Sequence, residues 1–353
     1  MNAEGYIEIN GRRIGEGCPV YIIAELSANH RGSYDEALML VKAAKEAGAD
    51  AVKLQTYTPD TITIDCDSEL FRRKSGLWAG RTLYELYSEA YMPWQWQPKL
   101  KQAADEMGID LFSSPFDETA VDFLENMDMP AYKIASFELV DIPLIEYAAG
   151  KGKPLILSTG MATIDEIEEA VTAAKRVGAA QVALLRCVST YPALPEEMEL
   201  GNIPYLMERF GLPVGLSDHT LGIDVPAAAA AAGACIIEKH FTLSRDVPTP
   251  DSAFSTEPAE FKEMVRAVRN AGRIKCQIKH EITISQRESE SRNFRRSLFV
   301  VADIKKGEAF TRKNIRSVRP SYGLHTRYLK DILGRQAARD IKCGTPLDWS
   351  LIQ

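Results

Sequence analysis

Leu212-Pro-Val-Gly-Leu-Ser-Asp-His-Thr220 and Ala234-Cys-Ile-Ile-Glu-Lys-His-Phe241 are the two pieces of sequence from which the fold is read. Each is a short apolar run that stops abruptly in charged and hydroxyl side chains. Runs of this length suit parallel strands covered on both faces, whose carboxyl ends open into a site. His219 and His240, two of the five histidines, close the two runs. Two readings are open for them. They are satisfied structural histidines, or they project into one cup and hold a divalent metal.

Outward from this stretch, the same pattern recurs. Apolar runs lie at Tyr21–Ala24, Ala51–Leu54, Ile109–Phe112, Ala131–Ile134, Pro154–Leu157, Val182–Leu185, Pro213–Leu216 and Cys235–Ile237. Between them, apolar residues fall at steps of three and four, as at Ile164, Ile167, Val171 and Ala174. Thr163 with Glu166 reads as a capping box, and Ser33–Ala47 reads as a helix stopped by Gly48. Eight strand–helix units with fully apolar strands predict a (β/α)8 TIM barrel. A doubly wound open sheet is the rival that the pattern alone leaves standing.

Two segments depart from the repeat. The first is an insertion of about Thr56 to Trp96, where Leu83, Leu86, Tyr87 and Ala90 predict a short helix. On the carboxyl face of a barrel such a loop forms a lid or wall of the site, or else simply elaborates the packing. The second follows the last barrel helix, Pro258–Ala271. Residues 275–293 are rich in charge and read as a linker between a barrel of residues 1–274 and a small, mostly β module of residues 294–353. In that module Asp303-Ile-Lys-Lys-Gly307 and Asp340-Ile-Lys-Cys-Gly344 form a near-repeat, which predicts pseudo-twofold character.

Composition narrows the class. The chain has 353 residues, 45% of them hydrophobic, enough for a large core and against disorder. A net charge of −7 argues against a general nucleic-acid binder. Six scattered cysteines without a C-x-x-C pair suit a reducing compartment. The amino-terminal residues lack a secretory pattern, and no apolar run approaches the ~20 residues of a membrane span. These features predict a cytoplasmic protein with neither nucleic acid nor membrane as partner.

The chemistry gathers at the strand ends. They carry Glu25, Lys53 with Gln55, Ser113 with Ser114, Lys133 with Ser136 and Glu138, Ser158, Ser189 with Tyr191, Ser217 with His219, and Glu238 with His240. Two lysines and a ring of hydroxyls suit a small phosphorylated or carboxylated anion. Two imidazoles suit a metal with open positions, and Glu25 and Glu138 suit acid–base work. Together they point to carbon–carbon bond formation from a phosphorylated three-carbon donor; metal-assisted aldol cleavage and phosphate-ester hydrolysis also fit. Cys187 and Cys235 read as core residues, His280 and His325 as surface or packing residues. His30 either orients Glu25 or caps the loop before Gly32.

Taken in order, I-I-A-E-L-S-A-N-H, V-K-L-Q-T-Y, F-S-S-P-F-D, Y-K-I-A-S-F-E, L-S-T-G-M-A, V-G-L-S-D-H-T and E-K-H-F-T resemble the sialic acid synthase family. S-V-R-P-S-Y-G-L and the D-I-K-x-G repeat resemble that family's antifreeze-like SAF domain. The insertion G-L-W-A-G-R-T-L-Y-E-L-Y is most similar to that of the bacterial pseudaminic acid synthases.

The resemblance implies condensation of phosphoenolpyruvate with an N-acetylated amino sugar, here 2,4-diacetamido-2,4,6-trideoxy-altropyranose. The same chemistry on N-acetylneuraminate or legionaminate precursors is the near alternative. A barrel that binds sugar without turnover is the alternative from another class, and a Schiff-base lyase is a third. The resemblance further implies His219 and His240 as ligands of manganese or magnesium. Lys133, Ser136, Ser158, Ser189 and Ser217 would hold the phosphate, and Lys53 with Ser114 the carboxylate. Glu25, Gln55, Tyr191 and Asp251 would meet the sugar, with Glu138 at the reacting centre. Arg319 would come from the other subunit of a domain-swapped homodimer. Ser189 departs from the asparagine common in the family, which puts that phosphate contact in doubt.

Overall fold

The strands Tyr21–Glu25, Ala51–Thr56, Asp110–Pro115, Tyr132–Ile134, Leu155–Ser158, Val182–Cys187, Val214–Asp218 and Ile236–His240 (β1 to β8) form one closed barrel. Every neighbouring pair is parallel, and β8 closes on β1 through Ile236 to His240 against Tyr21 to Glu25. Closure excludes the open sheet. The structure is a computed structural model that describes residues 5–274 and 283–353.

Seven of the eight strands run one to three residues past the apolar runs that marked them, into the polar positions. Apolar content marks where a strand is packed, whereas its hydrogen bonds continue until the chain turns.

Tyr21, Ile23, Phe112, Ile156, Leu185 and Ile236 fill the barrel interior. An amino-terminal hairpin, Tyr6–Ile9 with Arg12–Gly15, adds Ile7, Ile9 and Ile14 to the same cluster. Sequence reading missed this hairpin. Its three isoleucines are fully buried, each worth about 1.5–3 kcal/mol. Alternate strand residues such as Ile22, Leu54, Leu111 and Leu184 face outward into the helix layer.

The helices Tyr34–Ala47, Gln97–Met107, Glu118–Asn126, Ile142–Ala149, Ile164–Arg176, Asn202–Phe210, Asp224–Ala231 and Pro258–Ala271 (α1 to α8) follow the strands in turn. Their ends carry the expected devices. Ser33 caps α1, Gly48 ends it at φ 94°, and Thr163 with Glu166 forms the capping box of α5.

The insertion is ordered by two local motifs. A bridge between Arg72 and Thr82 closes a loop, with Arg73 N donating to Arg81 O at 3.0 Å and Gly80 N to Arg73 O at 2.8 Å. Thr82 and Glu85 then box the start of the helix Leu83–Ala90. Tyr57 packs on Tyr87 and Phe116, and Trp94 stacks on Phe123, which is packing. Trp78 alone reaches the rings of the site, as described below.

The chain divides into two compact units, Met1–Cys276 and Gln277–Gln353. In the second, Ser297–Val300 pairs antiparallel with Ile315–Val318 around a core that includes Leu298, Phe310, Ile332 and Leu347. The near-repeat is reciprocal. Lys305 Nζ lies 2.8 Å from Asp340 and Lys342 Nζ lies 2.7 Å from Asp303, while Ile304 bridges Ile341. Within the segment read as a linker, Ser285 caps a helix, Gln286–Ser291, because its hydroxyl accepts from Glu288 N. Cys276 and His280 lie outside the described residues.

Candidate active site

The period of two decides which polar residues share the cup. On β2, Lys53 and Gln55 point inward while Thr56 faces the helices, where its hydroxyl meets Ser113 at 2.6 Å and Gln97 at 2.8 Å. Ser113 therefore belongs to the wall, and Ser114 to the interior, where it accepts from Lys53 Nζ at 3.3 Å. On β7 and β8 the same alternation turns Asp218 and Lys239 outward. They form a fully buried ion pair, and Lys239 Nζ also donates to Thr220 O at 2.6 Å. That pair straps the β7 end to β8, with His219 and His240 at the tips of the two strands.

Glu238, a strand-end residue for which the sequence suggests no role, joins both lysines. Its carboxylate lies 3.6 Å from Lys53 Nζ and 3.5 Å from Lys133 Nζ, and it accepts from Ser217 Oγ at 2.9 Å. Lys53 also lies 2.8 Å from Glu25. The two lysines read as cations awaiting an anion are thus already paired with carboxylates. Burial opposes every one of these charges. For Glu238 the two lysines outweigh it and hold the carboxyl below its usual range. Burial wins for Lys133, which is lowered, and for Glu25, which is raised; the two glutamates keep Lys53 raised.

Gln55 Nε2 donates to Glu25 at 2.9 Å and to Ser27 Oγ at 2.9 Å, and the Ser27 hydroxyl donates to Asp251. Ala28 N reaches the same Asp251 oxygen at 3.3 Å. Glu25, Gln55 and Asp251 therefore form one polar edge. Ser27, absent from the sequence expectations, joins it with a left-handed backbone (φ 43°), a costly geometry for a non-glycine residue.

Across the cup, Gly160 N donates to Ser136 Oγ at 3.1 Å. A Cβ on Gly160 would lie 2.2 Å from Ser189 Oγ and 2.7 Å from Ser136 Oγ. The missing side chain keeps open a cradle between two hydroxyls, with Ser158 Oγ buried nearby and unbonded. Glu138 ends the turn Ser136–Glu138. Burial raises its carboxyl to about 7, and its Oε2 has no hydrogen-bond partner.

The histidine pair adjoins Tyr191. The His219 and His240 ring centroids are 5.4 Å apart, and Tyr191 lies 4.3 Å from His219. His219 Nδ1 meets Val188 O at 2.7 Å. A carbonyl only accepts, so Nδ1 carries a proton; burial opposes a charge on this ring, but Cys187 and the Val188 carbonyl outweigh it and raise the imidazole. His240 Nδ1 is buried without a partner, and burial together with the nearby His219 drives this imidazole well below its usual range, so it stays neutral. Cys187 is buried, as its reading as a core residue expects, and lies 3.8 Å from both His219 Nδ1 and Ser189 Oγ. Burial pushes its thiol up, but His219 outweighs that and brings it down to about 7.

One expectation resolves away from the centre. His30 caps its loop by accepting from Gly32 N at 3.1 Å, packs edge-on to Trp96 and is held neutral by burial at about 4. Arg319 belongs to the second unit, where it is exposed just after Ile315–Val318.

Among the described residues no cluster of three or more His, Cys, Asp or Glu side chains would hold a metal by itself. What the cup offers is two imidazoles, one of them (His240) held neutral, and open positions. Glu138 Oε2, Ser158 Oγ, Glu238 Oε2 and His240 Nδ1 are all buried and unbonded at these strand ends. A buried polar atom left unpaired costs about 1–3 kcal/mol, so their gathering marks a place built to receive a polar ligand.

Comparison with known proteins agrees with this geometry. The profile of the NeuB family matches residues 40–280, and that of the SAF domain matches residues 295–353. A pseudaminic acid synthase of Campylobacter jejuni is 47% identical over 93% of this chain and 95% of its own. One of Helicobacter pylori is 45% identical over 93% and 96%. The crystal structure of the Bacillus subtilis spore coat polysaccharide biosynthesis protein SpsE is similar at 35% identity, with a TM-score of 0.67 over 99% of both chains. A (β/α)8 barrel with these strand ends, followed by a small β unit with a reciprocal repeat, makes the chain a member of the NeuB family that carries a SAF domain.

Proposed function

We propose that the chain is a pseudaminic acid synthase. It joins phosphoenolpyruvate to 2,4-diacetamido-2,4,6-trideoxy-altropyranose with addition of water, and it releases phosphate by breaking the C–O bond of phosphoenolpyruvate. The observation that carries this reading is the cradle of Ser136, Gly160 and Ser189 within the same cup as the histidine pair. The similarity to the two bacterial synthases supplies the acceptor.

In this reading Lys133, Ser136, Ser158, Ser189 and Ser217 hold the phosphate, with Lys53 and Ser114 on the carboxylate. Glu25, Gln55, Tyr191 and Asp251 orient the sugar. The methylene carbon of phosphoenolpyruvate attacks the aldehyde carbon of the open-chain sugar, so positive charge develops at the enol-ether carbon. Water adds there, and the resulting tetrahedral carbon expels phosphate. Glu138, at about 7, both gives and takes a proton near neutral pH.

The donor set suits a divalent ion, manganese or magnesium, held by His219 and His240, because His240 is neutral and His219 bonds Val188 O through Nδ1, which leaves Nε2 as its ligand atom once that nitrogen has lost its proton. When bound, such an ion would polarise the sugar aldehyde as a Lewis acid. Charge argues the same way, since Glu25 and Glu238 already offset both lysines and a trianionic donor calls for a further cation.

We place the barrel at residues 1–274, the linker at 275–293 and the SAF domain at 294–353. We further propose a cytoplasmic, domain-swapped homodimer in which Arg319 of the second copy meets the acceptor's acetamido group. Among the described residues no helix is long and apolar enough to cross a membrane. Phosphate release is measured with the three nonulosonate precursors in turn, before and after EDTA. The diacetamido-trideoxy-altropyranose is expected to be turned over best, with activity lost to EDTA and restored by manganese. A preference for N-acetylmannosamine, or full activity in EDTA, sinks the reading.

A further inference from the structure

Trp78 differs from the residues around it. Residues 72–77 and 79–80 of its loop are exposed, and Trp78 is half-buried. Its indole Nε1 donates to Pro250 O at 3.0 Å, across from the insertion after β2 to the loop after β8. Its ring lies 5.8 Å from Tyr191, and the Arg73 guanidinium sits 5.7 Å from it. Tyr191 in turn touches His219 and Phe254, with centroids at 4.3 and 5.2 Å. Pro250 directly precedes Asp251, which anchors the polar edge through Ser27. Trp78 thus leans on one residue assigned to the sugar and is pinned beside another.

The indole has one donor, and Pro250 takes it. What remains is a flat apolar surface that has nothing to offer a hydroxyl.

We propose that Trp78 sets acceptor specificity by forming an apolar wall over the sugar side of the cup. The acceptor must present carbon to that wall, a deoxy position or an acetamido methyl, because a hydroxyl turned toward it loses its water without gaining a partner. This inference rests on the proposal above that Tyr191 and Asp251 meet the sugar. An apolar surface rejects an added hydroxyl by at most about a hundredfold, so the selection is a matter of degree.

The test is steady-state kinetics of full-length Trp78→Ala, Trp78→Phe and Trp78→Gln with manganese, using the diacetamido-trideoxy sugar and N-acetylmannosamine. Trp78→Ala is expected to raise the KM for the deoxy sugar roughly tenfold or more, with the KM for phosphoenolpyruvate within about twofold. Trp78→Phe keeps an apolar ring and should stay within about threefold of wild type. Trp78→Gln, which keeps a donor for Pro250 but replaces the wall with an amide, should narrow the preference between the two sugars; it decides the matter if the alanine variant does not fold. Unchanged acceptor KM and unchanged preference in folded variants overturn the inference while leaving the synthase reading intact. A wild-type enzyme that turns over neither sugar overturns that reading and this inference with it.

Discussion

Glu138 shows how burial tunes a residue here against neighbouring charges. Its carboxyl is raised to about 7, chiefly because burial disfavours the charge, and Lys133 and Lys53 only partly oppose this. The native state therefore keeps the proton between about 4.5 and 7 where an unfolded chain has released it. Stability contributed by this group is present at low pH and falls as pH climbs through that window. Glu138→Gln should remove the slope, so urea midpoints at pH 5 and pH 7.5 should differ less in the variant than in wild type. The same substitution should lower kcat by about 100-fold or more if the group transfers protons. Equal slopes in the two proteins would mean that burial does not tune this carboxyl.

At the scale of elements, the cradle is an agreement between turns. The turn after β5 brings Gly160, the turn after β4 brings Ser136, and the end of β6 brings Ser189. No one of these forms the cradle alone; the space between them does. Gly160→Ala places a methyl 2.2 Å from Ser189 Oγ, which forces that hydroxyl aside. The expected result is a KM for phosphoenolpyruvate at least about tenfold higher, with the thermal midpoint close to wild type, read by phosphate release and circular dichroism. An unchanged KM would move the phosphate elsewhere in the cup. The loop of Ser27 shows the same principle, since its left-handed backbone serves a contact with Asp251, 224 positions away.

For the whole molecule, the two compact units raise the question of what the second does for the first. The proposed homodimer answers it with Arg319. Co-expressed Arg319→Ala and Lys133→Ala chains, each inactive alone, should then form heterodimers with one intact site. Random pairing predicts recovery of about a quarter of wild-type activity. Recovery near zero would place Arg319 in the cup of its own chain, and an Arg319→Ala chain active by itself would place it outside catalysis.

The sequence by itself determined the strand–helix units, the helix caps and which polar residues end the strands, because apolar periodicity, caps and abrupt polar endings are local signals. The pattern could not tell a closed barrel from an open sheet, since closure depends on β8 meeting β1, more than two hundred residues apart. It did not show that Glu238 sits between Lys53 and Lys133, that Cys187 lies against His219, or that Ser113 turns away from Ser114. Nor did it separate Trp78 from the packing aromatics of the insertion. Each of these is a distance between elements remote in the chain, and distances of that kind exist only once the barrel has closed.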